Sequence, residues 1–443
     1  MMKSMYSRLN SRPFFFLLGL LFNATAIMLV FILWAYSPFV KAQEKTDGSN
    51  VENKNSASSA WSTAKDLLDN LQIQGFASQA FIATSDNDVF GNTDEGGGFG
   101  FTELGLNALL RPLPRLQLSG QMLSRRAGKD NNGTPRLDFA FFDYRLYSHE
   151  TNQFGIRFGR LKNPFGFYND TRDVPFTRPS ILLPQSIYFD RTRNVGLSAD
   201  SIQFYGETSD AQWGDLTIQF GITRPIVDDR DTEISLLGSA LTGGLSPDVS
   251  LIGRGLYETP NKRFRFAVSG VWFNADYKPG ANDPITVSPG SIQFSPIYIS
   301  AQYNTERWSL TSEYALRKFR YSNFDFARLD SQDFYGESFY FQGEYRFNHK
   351  WEALIRYDVL YTNRSDRDGS EFAAASITGT PAHSRFAKDL TVGLRWNITP
   401  RIMARLEYHR INGTAWLAPL DNPDPLDTSK NWNLFAAQLS FRF

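Results

Sequence analysis

Apolar and polar residues alternate with a period of two along most of the chain from residue 72 onward. The segment 401–411 shows the pattern, with Leu406 and Tyr408 on one side and Arg405 and Glu407 on the other. Because successive side chains of a β-strand point to opposite faces, this pattern predicts strands with one apolar face and one polar face.

Sixteen segments of this kind follow one another along the chain. They are 72–84, 99–111, 115–126, 136–147, 153–161, 199–207, 212–224, 248–258, 263–274, 291–304, 307–319, 333–347, 350–362, 386–397, 401–411 and 432–443. The pattern predicts an all-β fold: a 16-stranded antiparallel transmembrane β-barrel over residues 72–443, with the apolar face toward lipid and the polar face toward water. The chain combines 15% aromatic residues with a negative mean hydropathy of −0.35. Such a barrel explains this combination, because the hydropathies of its apolar and polar faces cancel in any average along the chain.

The connections between these segments alternate between short turns and long loops. Outer-membrane barrels have short periplasmic turns and long outer loops, whereas a soluble β-sandwich has no reason to alternate in this way. A β-propeller would show repeated blade motifs, and we find none. An even number of strands places the start of the first strand and the end of the last strand on the same side of the membrane, which we expect to be the periplasmic side.

The first 42 residues are typical of a secretory signal peptide. Lys3, Arg8 and Arg12 precede an apolar run over 13–36, and Val40-Lys41-Ala42 supplies a small-residue cleavage site. An uncleaved membrane anchor is the alternative, because the apolar run is long enough to span a bilayer. We therefore expect export through the inner membrane and localisation in the cell outer membrane.

Residues 43–71 predict a periplasmic tether and a short helix. Residues 43–60 are polar and of low complexity, which is typical of a disordered segment. Residues 59–70 have the apolar spacing of an amphipathic helix, which would form a cap on the barrel, a plug or an oligomer contact.

The connection 162–198 is far longer than the two to five residues of a hairpin turn. It is rich in prolines, aromatics and charges, and we expect it to fold into the barrel as a constriction loop. Its candidate pore-constriction residues are Lys162, Asp170, Arg172, Asp173, Arg178, Asp190, Arg191 and Arg193. Two alternatives stay open: these charges pair with one another and only hold the loop, or the loop fills the lumen.

The alternation also predicts which charged residues line the barrel wall. The candidate pore-lining residues are Arg157, Arg346, Arg356, Arg395, Arg405 and Glu407. The full set of charged residues expected to point inward adds Arg145, Arg265, Arg317, Arg442, Asp143, Glu313, Glu344, Glu352 and Asp358. Opposed acidic and basic walls would orient polar solutes. The pore would select solutes by its diameter and by the electric field of its lining charges.

Catalysis, metal binding and nucleic-acid binding find little support in the sequence. The chain has no cysteine and only four histidines, of which His409 lies beside Glu407 on a predicted inward face. Asp421, Asp424 and Asp427 are interleaved with prolines and do not fit a calcium-binding loop. We expect no catalytic residue, no metal and no cofactor. Without residues 1–42 the chain carries 42 basic and 46 acidic residues, and this net charge of −4 argues against nucleic acid as a partner.

Three features resemble Gram-negative outer-membrane porins. The final strand ends in Phe443, which resembles the signal that barrel-assembly machinery recognises. The long connection falls between the fifth and sixth strands, as the constriction loop does in sixteen-stranded porins. The stretch 159–166 resembles a strand-to-loop junction of phosphate-selective porins.

The resemblance implies a trimeric porin in outer-membrane lipid that allows passive diffusion of small hydrophilic solutes or ions. Two alternatives stay open: a channel selective for an anion such as phosphate or for a sugar, and a closed structural or enzymatic barrel. Tryptophans and tyrosines near strand ends are expected to form interfacial belts, or in the sugar-selective case to stack on sugars.

Overall fold

The computed structural model describes residues 70–129, 131–227, 229–283, 287–324 and 332–443. The predicted signal peptide (1–42) lies outside the described residues, as do the tether and nearly all of the predicted helix. Among the helices that the structure describes, none is both long and apolar enough to cross a membrane.

Sixteen long strands, numbered β1 to β16 here, form one sheet. They are Leu71–Thr84 (β1), Gly98–Leu113 (β2), Leu116–Ala127 (β3), Arg136–His149 (β4), Asn152–Lys162 (β5), Ser198–Asp210 (β6), Gly214–Pro225 (β7), Ser250–Glu258 (β8), Phe264–Lys278 (β9), Ser291–Asn304 (β10), Trp308–Ser322 (β11), Asp333–Arg346 (β12), Trp351–Tyr361 (β13), Phe386–Thr399 (β14), Ile402–Gly413 (β15) and Asn431–Arg442 (β16). Each predicted segment coincides with one of these strands to within a few residues.

The sheet closes on itself. β1 pairs antiparallel with β16 from Phe76 opposite Arg442 to Thr84 opposite Leu434, and it also pairs with β2. The other neighbouring strands pair antiparallel in chain order. Closure gives the backbone groups of every strand a partner, which a sheet in lipid requires. The predicted 16-stranded antiparallel barrel is therefore confirmed.

Side-chain burial follows the predicted alternation. On β15, Leu406 and Tyr408 are exposed on the outer surface, whereas Arg405 and Glu407 are buried on the inner side. The outer surface is thus apolar and the inner surface carries the charges, as the period of two predicts.

Smaller elements decorate the barrel. Two short strands, Asn131–Asn132 and Gly244–Pro247, extend β3 and β9 by pairing with them. The helices are Arg193–Leu197 (α1), Arg230–Leu237 (α2) and Ser370–Ala375 (α3), and there are 3₁₀ turns at Asn169–Thr171, Pro175–Thr177, Ala382–Arg385 and Pro425–Asp427.

The outer part of the barrel interior is apolar. Two buried clusters lie there, one including Phe273, Tyr277 and Leu237 of α2, and the other including Ile181 and Trp416. Loops after β1, β7 and β15 contribute to these clusters, so they fold toward the barrel axis rather than outward. Alternation did not predict this, because these strand ends carry apolar residues on both faces.

Candidate functional site

Residues 163–197, called the inner loop below, connect β5 to β6 and lie inside the barrel. Main-chain N–H groups of this loop donate to carboxylates on distant strands. Phe167 donates to Glu313 of β11 at 2.9 Å, and Ser186 donates to Asp358 of β13 at 3.3 Å. The inner loop therefore reaches from β5 across to the opposite wall. Constriction of a pore by this loop stays a prediction.

The carboxylate of Glu313 anchors the start and the middle of the loop. It accepts a hydrogen bond from the Tyr188 hydroxyl at 2.6 Å and one from Tyr340 at 2.8 Å. The Tyr188 hydroxyl in turn accepts from the N–H groups of Phe167 and Tyr168, at 2.9 and 3.0 Å. Burial, reinforced by the charge of Glu313, raises the pKa of Tyr188 well above its ordinary value, so this hydroxyl stays protonated and donates.

Gly166 makes this arrangement sterically possible. Its φ is +56°, and a Cβ atom at this position would lie 2.8 Å from an oxygen of Glu313. Glycine tolerates both the left-handed conformation and the close approach. The turn that leads the chain into the barrel therefore depends on this glycine.

Two buried arginines hold the middle of the loop by its carbonyl groups. Arg356 donates to the carbonyl of Leu182 at 3.0 Å and to the hydroxyl of Ser180 at 2.9 Å. Arg405 donates to the carbonyl of Pro175 at 2.8 Å. Both arginines are almost fully buried, so these bonds form away from bulk water and fix the path of the loop.

Glu407 holds the same part of the loop by its N–H groups. It accepts hydrogen bonds from Ile181 and Leu182, the latter at 3.3 Å. Buried His409 lies between Glu407, at 3.4 Å, and Asp389, at 2.8 Å. The histidine thus supports a loop anchor. The role of Asp389 was not predicted from the sequence.

Ion pairs connect the loop to the strands before it. Arg178 pairs with Glu103 of β2 at 2.6 Å, and Asp190 pairs with Arg125 of β3 at 2.8 Å. Glu103 and Arg125 are themselves 3.5 Å apart. The middle of the loop, at Arg178, and its later part, at Asp190, are therefore tied to one buried network on β2 and β3.

A second group of charges lies at the ends of the loop. Lys162 pairs with Asp138 of β4 at 2.5 Å and with Asp173 of the loop. Asp173 also pairs with Arg193 of α1. Arg172 donates to the carbonyl of Tyr188 at 3.0 Å, and burial lowers its pKa to about 10, which leaves it charged at neutral pH.

The predicted constriction residues differ in pairing and exposure. Six are paired and hold the loop to itself and to the wall, with side chains no more than 15% exposed: Lys162, Arg172, Asp173, Arg178, Asp190 and Arg193. Asp170 differs, because it is 35% exposed while it pairs with Arg254 at 2.5 Å. Arg191 forms no ion pair with a described carboxylate. Lining of the pore by these residues stays a prediction.

A cavity of about 380 Å³ lies beside Asp170. Its polar lining comes from the inner faces of β1 to β7 and from the loop: Gln72, Gln74, Asn107, Ser119, Arg157, Lys162, Asp170, Gln203 and Gln219. The mixture of amides, hydroxyls and opposite charges suits water and polar solutes.

The predicted wall residues fall into those that contact the inner loop and those that contact other residues of the wall. Arg356, Arg405 and Glu407 contact the inner loop, as described above. The others lie along the wall: Arg157 pairs with Asp143 at 2.9 Å, Arg395 donates to Asn397 at 3.0 Å, and Arg346 lies 4.0 Å from Glu352. Their lining of a pore stays a prediction.

The sequence reasoning did not single out Glu103, Arg125 and Asp138 as partners of the loop. Glu103 and Arg125 could have been found by extending the alternation along β2 and β3. Asp138 could not, because strict alternation from Asp143 places it on the outer face. A β-bulge, where Gln121 pairs with Phe139 but Met122 pairs with Leu137, turns Asp138 inward.

Among the described residues, no group of three or more His, Asp or Glu side chains is placed to hold a metal ion. No protein-family model matches the chain, and no curated protein matches it.

Solved structures of porins and outer-membrane channels match the fold. An anion-selective porin from Comamonas acidovorans is 12% identical with a TM-score of 0.53, over 84% of this chain and 99% of that chain. OmpF of Salmonella typhi, in complex with daunomycin, is 13% identical with a TM-score of 0.53, over 84% and 97%. The channel DcaP of Acinetobacter baumannii is 12% identical with a TM-score of 0.51, over 84% and 97%. This chain therefore has the sixteen-stranded barrel architecture of outer-membrane porins.

Proposed function

We propose that the protein is an outer-membrane porin through which small hydrophilic solutes or ions diffuse passively. The observation that carries the proposal is the inner loop, held inside a closed barrel by buried bonds to opposite walls, next to a polar cavity of about 380 Å³. A loop fixed in this way narrows a lumen to a defined diameter, which is how a pore selects by size.

Partly exposed charges on the inner surface support a water-filled path past the loop. The side chains of Arg157, Asp170 and Arg265 are 23%, 35% and 30% exposed, although all three face the interior. Charged side chains in a filled interior would be buried and fully paired. The side of the lumen that β5 to β9 enclose thus retains space for water.

The outer surface supports the location. Exposed apolar and aromatic side chains cover the lipid-facing positions of the strands, including Phe266, Val268 and Trp272 of β9. We propose outer-membrane lipid and the barrel-assembly machinery as partners, and a homotrimer as the assembly. The proposed transport requires no catalytic residue and no cofactor.

A closed structural barrel is the second candidate, because apolar clusters fill much of the outer part of the interior. The two candidates differ in permeability. We would reconstitute the refolded chain into liposomes and measure swelling with sugars of increasing size. The porin predicts swelling with small sugars and a sharp size limit. Absence of swelling from protein shown to be folded would favour the closed barrel.

A further inference from the structure

A second cavity, of about 160 Å³, lies between the inner loop, α2 and the inner faces of β7 to β11. Its lining is mostly apolar and includes Phe165, Ile187, Phe189, Phe294 and Phe319. An apolar cavity of about 150 Å³ is large enough to hold one benzene molecule. The dimensions of this cavity therefore suit a single aromatic ring or an apolar group of similar size.

Three arginines line the same cavity, and one of them, Arg172, pairs with Asp190 at 3.7 Å. Arg191 comes from the loop and Arg317 from β11, and neither forms an ion pair with a described carboxylate. Their guanidinium carbons lie 5.6 and 5.0 Å from the centre of the Phe189 ring. Arg317 is only 6% exposed, and its guanidinium donates a hydrogen bond to the carbonyl of Tyr361 at 3.2 Å. The Nε atoms of Arg191 and Arg317 are buried and have no hydrogen-bond partner among the described residues.

The charges around Arg191 are dominated by other cations. Burial, followed by the charges of Arg385 and Arg317, lowers the pKa of Arg191 to about 10, so it remains charged at neutral pH. The negative charge of Asp231 attracts Arg191, and that of Asp358 attracts Arg317. Neither carboxylate is close enough to its arginine to form an ion pair. An anion held between the two guanidiniums would offset both their repulsion and their lost hydration.

We infer that this cavity binds a small monocarboxylate with an aromatic or compact apolar body. The carboxylate lies between Arg191 and Arg317, and the apolar body lies beside Phe189. Guanidinium–carboxylate hydrogen bonds are charge-assisted and stronger than neutral ones, while the apolar walls favour the ring. The inference rests on the proposed function, since it names the class of solute that the channel takes up.

Sodium benzoate is the probe for this site. We would titrate it into the refolded chain in detergent, at constant ionic strength, and measure binding by calorimetry. We expect one binding site. Acetate, which lacks the aromatic ring, and benzyl alcohol, which lacks the carboxylate, should each bind at least about tenfold more weakly than benzoate. The substitutions Arg191→Gln and Arg317→Gln should each weaken benzoate binding about tenfold or more. Arg401→Gln, in an exposed turn, is the matched control and should leave binding unchanged.

Two results would overturn the inference: no benzoate binding by folded protein, or equal binding by the wild type and both cavity variants. Conductance of the same preparation separates the two proposals. Conduction without benzoate binding overturns the cavity site alone. Benzoate binding that the two arginine substitutions weaken, in a protein that does not conduct, supports the site and overturns only the proposed channel.

Discussion

Arg178 of the inner loop donates two hydrogen bonds to Glu103 of β2, at 3.2 and 2.6 Å, and both side chains are almost fully buried. The two residues are 75 positions apart in the chain. This pair links the loop directly to β2, and it shows how charge inside the barrel positions the loop.

Breaking this pair should destabilise the barrel. Arg178→Gln leaves Glu103 with Arg125 at 3.5 Å and with the hydroxyl of Ser78 at 3.3 Å. Removing one partner of a buried ion pair costs about 3 kcal/mol because the other charge stays buried. Urea unfolding in detergent would measure the loss. The double variant Glu103→Gln/Arg178→Gln should recover part of it, and the exposed control Arg401→Gln should change the free energy of unfolding by less than about 0.5 kcal/mol. If the double variant lost as much free energy of unfolding as the two single variants combined, the result would contradict this coupling.

Tyr188→Phe should loosen the start of the loop. The substitution removes the bond to Glu313 and leaves the N–H groups of Phe167 and Tyr168 without that acceptor. Loss of one hydrogen bond to a charged group is worth about 2 kcal/mol. We expect faster hydrogen exchange at 166–168 together with a lower free energy of unfolding. The control is Tyr147→Phe, which changes an exposed side chain. Equal hydrogen-exchange rates at 166–168 in the two variants would show that Tyr188 does not anchor the loop.

A disulfide between the first and last strands should form without distortion. Ala77 of β1 lies directly opposite Phe441 of β16, and opposed residues on neighbouring strands have suitable Cα separations. Because the chain has no native cysteine, the pair Ala77→Cys and Phe441→Cys would be the only thiols. The oxidised protein should resist heat unfolding in SDS and lose that resistance on reduction. Failure of the bond to form in folded protein would contradict the closure of the sheet.

The region around Asp231 should lose stability as pH rises, because burial disfavours the ionised carboxylate. Asp231 of α2 accepts a hydrogen bond from the N–H of Leu420 at 3.0 Å, and burial raises its pKa from 3.8 to about 6. The folded state therefore binds this proton more tightly than the unfolded state, so the stabilisation is complete below about pH 4 and is lost as pH rises through 6. Hydrogen exchange at residues 230–237 should be slower at pH 5 than at pH 7.5 after correction for intrinsic rates. Asp231→Asn should remove the difference, and an unchanged pH dependence in that variant would assign it to another group.

The barrel was predictable because alternation is a local property of the sequence. The strands from Leu71–Thr84 to Asn431–Arg442 carry the pattern within about a dozen residues each, and the connection lengths add the topology. The inner loop was predictable as an element, since its length, prolines and charges exclude a hairpin turn.

The partners within the loop were not predictable, because they depend on long-range geometry. Glu103 meets Arg178 only once β2 and the loop occupy the same barrel, and Asp138 turns inward only through a bulge. Arg191, which forms no ion pair with a described carboxylate, looked the same in the sequence as the paired Arg193 two positions later. Which charge lacks a carboxylate is decided by the packing of several strands together.

The central claim is that the inner loop narrows a conducting lumen. Single-channel conductance of the refolded chain in a planar bilayer tests it most directly, with residues 167–190 replaced by a short Gly-Ser linker in one variant and Arg178→Gln in a second. The account predicts stepwise conductance for the wild type, a larger step for the linker variant, a noisier step for Arg178→Gln and an unchanged step for Arg401→Gln. Absence of steps from folded wild-type protein, or the same conductance with and without the loop, would contradict it.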